Sequence, residues 1–345
     1  MNKNLILAML CLTLAACAPV SRVSQIDQGA SEAEKNLQKE LALQHMLKRQ
    51  VRAFTVGYPI LKNTAPYCDE KVTADIGAVI THSKKMGKDF EPAARVLWGV
   101  TEKPTIVAVI PGLPADKAGL KVGDQILSVN NKALTNDVIN EPLKTIAIAQ
   151  ASEPVSLTVL RDDAEITATV VPDIVCDYPI EVLTEDAVNA YADGKKIFIT
   201  SGMMRFAETD NELATVIGHE LGHNQMGHMK KKQGNQLIGI LVGALITAAT
   251  GVDVTNTVGN IGAGAFSQEF EAEADYVGMY HSARAGYDVS DSPNFWRRMG
   301  AEHPKSISHG VTHPNTADRF LALDATAQEI MEKKESNQEL IANLK

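Results

Sequence analysis

Apolar and polar positions divide the chain into stretches of different texture. Over residues 31–54, Leu37, Leu41, Leu47, Val51 and Phe54 recur at threes and fours among Lys and Glu, which predicts an amphipathic helix. Asn63-Thr64-Ala65-Pro66 breaks that pattern. From about residue 74 to 172, short β-branched runs alternate with turn residues, and strands are expected at 76–80, 105–110, 125–130, 155–161 and 165–171. Residues 172–179 read as a boundary. Beyond it a short strand is expected at 195–200, and the remainder reads as mostly helix with a Gly-rich interruption. No internal repeat is visible. The class predicted is α+β: a mainly helical body with a small β element, and a β-rich module inserted into it.

Composition narrows the function. A length of 345 residues fits two or three domains, and 45% apolar with 22% charged residues is ordinary globular usage. A net charge of −9 with 5% aromatics argues against a nucleic-acid partner, which calls for a basic face.

At the start, Lys3 precedes an apolar run, residues 5–16, that is too short to span a bilayer. Leu14-Ala15-Ala16-Cys17 resembles the lipobox of bacterial lipoprotein signal peptides. The resemblance implies a signal peptide over 1–16, a lipid on Cys17 and a lipidated tether over 17–30. With Ala18 rather than Asp next, it implies a cell-envelope protein, on the outer membrane and facing the periplasm if the host is Gram-negative. A plain secretory signal with Cys17 incidental is the alternative. Of the four cysteines, Cys68 and Cys176 then remain in an oxidising compartment, on either side of the β-rich module. A disulfide stapling the module's ends is expected; two unrelated buried thiols are the other reading.

Pro114-Ala115-Asp116-Lys117-Ala118-Gly119-Leu120-Lys121-Val122-Gly123-Asp124-Gln125-Ile126-Leu127-Ser128-Val129-Asn130 resembles the core of a PDZ domain, with its short helix, Gly-Asp turn and following strand. The resemblance assigns residues 68–176 to such a domain and 137–149 to the helix flanking its groove. It implies that an extended peptide is taken as an added strand, its terminal carboxylate held on backbone N–H groups. Ile76-Gly77-Ala78-Val79 is the candidate carboxylate loop, with an ordinary strand start as the alternative.

The chemistry-bearing residues lie further on. Thr209-Asp210-Asn211-Glu212 has the form of a capping box, and Leu213, Val216, Ile217 and Leu221 give the helix after it an apolar face. That helix carries His219-Glu220-Leu221-Gly222-His223. Spacing i, i+4 puts both imidazoles on one side, where they can chelate one cation, and Glu220 beside them can take a proton from a metal-activated water. Two histidines on an exposed helix would look the same. A third ligand is needed, and the acidic helix Ser267-Gln268-Glu269-Phe270-Glu271-Ala272-Glu273-Ala274-Asp275 offers Glu271 and Asp275 on one face. On spacing alone, a solvated face is the simpler reading of that run.

The His-Glu-x-x-His helix, the Glu-x-x-Ala-Asp at 271–275, Thr312-His313-Pro314 and Arg319, in that order, resemble the gluzincin zinc metalloproteases of the HtpX and CAAX-prenyl-protease type, nearest the periplasmic lipoprotein branch. Residues 276–288 and 189–194 resemble further segments of that family. The resemblance assigns the protease domain to residues 177–345, with residues 31–67 as an N-terminal helix packed on it. It implies one Zn2+ per chain on His219, His223 and Glu271, with Glu220 as general base and Asp275 orienting a ligand. It further implies that His313 and Arg319 approach the open coordination position, either to steady the oxyanion or to occlude the site. Gln268 stands where the family usually has Arg. Glu273 lies roughly 200° round the helix from Glu271, and Glu269 is likewise a near miss. His228, five residues after His223 and roughly 140° off the chelating face, reads as structural. His45, His82, His281, His303 and His309 read as ordinary.

Two readings stay open. The strand at 195–200 either pairs with an extended substrate or supports the core. The apolar run 237–250, with Gly239 and Gly243 spaced as GxxxG after Lys230-Lys231-Lys232, is expected as a buried helix, with a membrane-touching lid as the alternative. The activity expected is hydrolysis of unfolded or C-terminally exposed envelope proteins by a lipid-tethered zinc endopeptidase. An envelope assembly factor that works through its PDZ module, with a latent metal site, is the competing expectation.

Overall fold

A computed structural model of the chain describes residues 24, 26–134, 153–264, 267–302 and 317–344. Cys17, the leader, the helix expected at 137–149, His303, His309 and Thr312-His313-Pro314 lie outside the described residues.

Helix α1 (Gln28–Thr64) starts at Asp27, whose carboxylate accepts the Ala30 N–H at 3.1 Å. It runs ten residues past the end expected from its pattern, straight through Pro59. A proline inside a helix costs about 3 kcal/mol. Val56, Tyr58, Ile60 and Leu61 are buried in the main core on that extension, the aliphatic ones contributing about 1.5–3 kcal/mol each, so packing outweighs the proline, and the helix ends at Thr64, inside the break expected at 63–66.

A 3₁₀ turn (Ala65–Tyr67) leads to Cys68 and then to β1 (Val72–Asp75). The β-rich region follows: β2 (Ala78–Thr81), α2 (Ser83–Trp98, interrupted at Gly87), β3 (Thr105–Val109), α3 (Pro114–Lys117), β4 (Gln125–Val129), β5 (Lys132–Ala133), β6 (Val155–Arg161) and β7 (Ala164–Val170). Its sheet is antiparallel in the order β2-β3-β4-β6-β7, with β5 on β4. Alternation along β6 sends Val155, Leu157 and Val159 inward, onto Ile76, Ile106, Leu120 and Ile126. Asp124 of the Gly-Asp turn is buried and held by Arg161 at 2.6 Å. The strand expected at 76–80 is divided: β1 ends at Asp75, and Gly77, at φ +73°, turns the chain into β2. A Cβ on Gly77 would run into the Leu113 side chain. Helix α2 was not legible; its Ala93 and Ala94 join Leu43 of α1 in a small core of their own.

The chain returns through β8 (Asp173–Cys176), antiparallel to β1 with Val72 opposite Cys176. Cys68 and Cys176 are bonded, with Cα atoms 5.8 Å apart, so the two strands that enter and leave the β-rich region are closed at their base.

The rest comprises β9 (Ile180–Leu183), β10 (Ala190–Ala192), β11 (Ile197–Thr200), α4 (Ser201–Phe206), α5 (Asp210–Gln225), α6 (His228–Thr250), α7 (Thr255–Gly264), α8 (Ser267–Arg284), α9 (Ser292–Glu302) and α10 (Ala317–Glu335). β11 is the middle strand of its sheet, parallel to β9 and antiparallel to β10. Both its edges are taken, so of the two readings for this strand the core-supporting one stands; β10 and β9 are the outer strands of this sheet among the described residues.

The apolar run on α6 is not buried. Leu237, Ile238, Leu241, Val242, Leu245 and Ile246 are exposed, while Gly239 and Gly243 face inward. A Cβ on Gly243 would sit 2.8 Å from the Thr255 Cα, so Gly243 serves the close packing of α6 on α7, with the larger side chains outside. Among the described residues, no helix is long and apolar enough to cross a membrane.

The Cys68–Cys176 bond closes a loop with a sequence separation of 108. Replacing both cysteines by serine is expected to lower the unfolding free energy by about 2–4 kcal/mol in urea titrations. An unchanged midpoint and slope would mean the neck needs no staple.

Candidate metal centre

Helix α5 begins with a complete capping box: Thr209 Oγ1 accepts the Glu212 N–H, and Glu212 Oε2 accepts the Thr209 N–H, each at 3.2 Å. Its apolar face is buried as expected. Its other face is buried too, every residue from 212 to 224 included, which removes the reading of two histidines on an exposed helix.

Helix α8 crosses α5 where both lack side chains. A Cβ on Gly278 would lie 2.7 Å from the Gly218 carbonyl and the His219 Cα, and one on Gly222 would lie 2.9 Å from the Ala274 oxygen. The close crossing brings Glu271 opposite the two histidines. His219 Nε2 and His223 Nε2 are 3.1 Å apart, and the Glu271 carboxylate oxygens lie 3.4 Å from the first and 3.3 Å from the second. Among the described residues this is the group placed to hold a metal ion. The chemistry fits zinc: two imidazoles and a carboxylate, with ligand bonds of about 2.0–2.1 Å, give tetrahedral edges of about 3.3 Å.

Behind His219, Asp275 Oδ1 lies 2.8 Å from Nδ1. Arg319 clamps Asp275 with Nε at 2.6 Å and Nη2 at 2.9 Å, and its guanidinium sits 4.9 Å above the Trp296 ring. Arg319, expected near an open coordination position, is thus on the carboxylate that backs a ligand, 3.7 Å from Glu271. Burial opposes the charge on His219, but the hydrogen bond and charge of Asp275, joined by Glu271, push its pKa up to about 9. Burial would raise Asp275, and Arg319 outweighs it, holding the carboxylate below its usual range. Burial pulls His223 down, and the nearby His219 adds to the effect. Glu220 is buried on the same turn as the histidines.

Behind His223 stands a residue that the helical wheel had discounted. His228 is fully buried, with Nδ1 2.9 Å from His223 Nδ1 and Nε2 2.7 Å from Glu273 Oε2. The wheel assumed an unbroken helix. In fact Gly227, at φ +67°, ends α5 and turns His228 back onto His223. Glu273 points away from the metal ligands, as its angle required, and finds His228 there. Burial keeps His228 neutral, with a pKa of about 4. Of the histidines read as ordinary, His45 is exposed, while His82 and His281 are buried away from the cluster.

Asn224, next to His223, donates to the Lys196 carbonyl at 3.0 Å and accepts the Gly194 N–H at 2.8 Å. This ties the turn between β10 and β11 to the end of α5, and β10 packs along that helix.

In the β-rich region, β2 and β7 are the edge strands among the described residues. Ile76 and Gly77 form the turn before it: the Gly77 N–H is bound by Asp75 Oδ1 at 2.7 Å, and the Ile76 carbonyl accepts from Ala115 N at 2.7 Å. Ala78 and Val79 begin the strand.

Residues 163–327 match the model of peptidase family M48, and residues 105–161 match that of a PDZ domain. Mitochondrial metalloendopeptidase OMA1 of Arabidopsis thaliana is 30% identical over 145 residues, 41% of this chain and 30% of that protein. The beta-barrel assembly-enhancing protease of Yersinia pestis is 28% identical over 151 residues, 39% of this chain and 31% of that protein. The chain thus spans about a third of these relatives. A solved HtrA3 PDZ domain bound to a phage-derived ligand is 21% identical, covering 30% of this chain and 89% of that one, with a TM-score of 0.24. The chain carries a gluzincin-type M48 peptidase domain and a PDZ domain, and zinc is the metal of that peptidase family.

Asp275→Asn keeps the shape of the group behind His219 and removes its charge. It is expected to weaken zinc binding about 10–100-fold in competition with a chromophoric chelator. Parent-like affinity would show that His219 needs no carboxylate.

Proposed function

We propose that this chain is a lipid-anchored zinc endopeptidase of the bacterial envelope that hydrolyses unfolded or misassembled proteins. The observation that carries the reading is the buried triangle of His219, His223 and Glu271 with the Glu220 carboxylate on the same turn. A metal with a merely structural task has no use for a base beside it.

His219, His223 and Glu271 would hold zinc, which would supply Lewis acidity to a water and to the scissile carbonyl. Glu220 takes the proton from the attacking water and returns it to the leaving amine. Asp275, clamped by Arg319, holds His219 in the tautomer that offers Nε2. Arg319 therefore acts through Asp275, and the role of steadying the developing oxyanion is left to His313. The outer edge of β10, unpaired among the described residues and joined to β11 by the turn that Asn224 ties to α5, suits an extended substrate backbone. The outer edge of β2, unpaired among the described residues, suits a second extended segment with a terminal carboxylate, with Ile76, Gly77, Ala78 and Val79 at its entry. A peptide captured there would raise the local concentration of its own chain at the metal site. The name of the Yersinia relative, which speaks of β-barrel assembly, favours envelope proteins as the substrate class. Signal cleavage before Cys17 and a lipid on its thiol would hold the enzyme at the membrane where such substrates arrive.

Glu220→Gln is expected to keep zinc at the parent's stoichiometry and cut an unfolded protein about 10²–10⁴-fold more slowly. A zinc-loaded mutant that cuts at the parent rate would remove Glu220 from the mechanism. A parent that binds zinc and peptides but hydrolyses nothing would favour the assembly-factor reading. For the anchor, cells fed labelled palmitate are expected to label the parent and not Cys17→Ser; equal labelling would place the lipid elsewhere.

A further inference from the structure

Each ligand histidine has a backing group. For His219 it is Asp275, held by Arg319. A buried imidazole that offers Nε2 to a metal carries its proton on Nδ1, and that N–H needs an acceptor. For His223 the acceptor 2.9 Å away is Nδ1 of His228. This nitrogen accepts only when the proton of the His228 ring sits on Nε2, and Glu273, at 2.7 Å from Nε2, selects that tautomer by accepting the N–H. Phe270 stacks on the His228 ring at 4.6 Å and 19°, and Lys231 lies 3.6 Å from the Glu273 carboxylate, so ring plane and carboxylate are both held. The two arms are thus parallel in chemistry: cation, carboxylate and ligand imidazole on the first, with one more imidazole inserted on the second.

We propose that His228 and Glu273 are positioning residues for the metal centre: together they set the tautomer and ring orientation of His223 and strengthen it as a donor. The proposal rests on the zinc reading of His219, His223 and Glu271. It takes His228 out of the scaffold and gives Glu273, a residue that cannot reach the metal, a reason to be acidic. Glu273 acts through the carboxylate's charge as well as its shape, because a negative group at the far nitrogen of His228 makes its near nitrogen the better acceptor.

The test uses the full chain and four proteins: parent, His228→Phe, His228→Asn and Glu273→Gln. His228→Phe keeps an aromatic ring against Phe270 and removes the acceptor. His228→Asn restores an oxygen near the position of Nδ1. Glu273→Gln keeps an acceptor for the His228 N–H and removes the charge. Zinc affinity is read by chelator competition, and ligand geometry by the visible absorption of the cobalt-substituted chain, neither of which requires turnover. His228→Phe is expected to lose about 10–100-fold in zinc affinity with a shifted cobalt band. His228→Asn should recover most of the affinity, and Glu273→Gln should fall between parent and His228→Phe. If His228→Phe unfolds, the ordering of the other two against the parent carries the result. Parent-like affinity and cobalt spectra in these variants would overturn the proposal while leaving the zinc site intact. A parent chain that binds no zinc would overturn both.

Discussion

Helices α5 and α8 touch at Gly218, Gly222, Ala274 and Gly278 with no room for a larger side chain, and the metal centre depends on that contact. An α-helix can align two histidines by itself, because positions i and i+4 are one turn apart. It cannot supply a third donor to the same point. That donor, Glu271, comes from another helix, and side chains at the crossing would push it out of reach. The glycines therefore matter less for flexibility than for the thickness they remove.

Drawing ionisable groups into such a crossing is costly unless each has a partner. The structure meets this with layers. His219 is backed by Asp275, Asp275 by Arg319, and Arg319 lies over Trp296, which in turn packs 5.0 Å from the His219 ring. His223 is backed by His228 and Glu273. Removing one member of such a layer leaves a neighbouring charge buried and unpaired, which typically costs about 3–5 kcal/mol. A network with so many mutual dependencies holds its donors in one arrangement before any ion arrives.

The chain passes between the helical body and the β-rich region through a narrow neck. β1 and β8 lie side by side and the disulfide ties their base, so the chain leaves and returns at one place. The main apolar cluster of the β-rich region is separate from that of the helical body, and the small cluster around Ala93 and Leu43 joins it to α1. The PDZ-type sheet thus lies on one side of the neck and the metal-ligand triangle on the other.

Local periodicity carried much of this. The capping box at Thr209, the chelating pair on α5, the PDZ-like turn at Gly123-Asp124 and the cysteines flanking the β-rich region were legible because each depends on residues close in sequence or on composition. The same reasoning failed wherever the answer depended on which face meets which neighbour. Helix α1 continues past the last residue of its pattern and through Pro59 to the expected break, because four buried side chains hold that stretch against the core. The strand 197–200 lies inside its sheet rather than at its edge. The apolar run on α6 turned outward because Gly243 took the packing surface. His228 looked misplaced on a helical wheel until Gly227 ended the helix. By itself, then, the sequence determined the donors and the elements that carry them, since backbone hydrogen bonding repeats over three or four residues. Which donor stands behind which, with Arg319 on Asp275 and Glu273 on His228, was decided by tertiary packing alone, because contacts between distant segments leave no period in the chain.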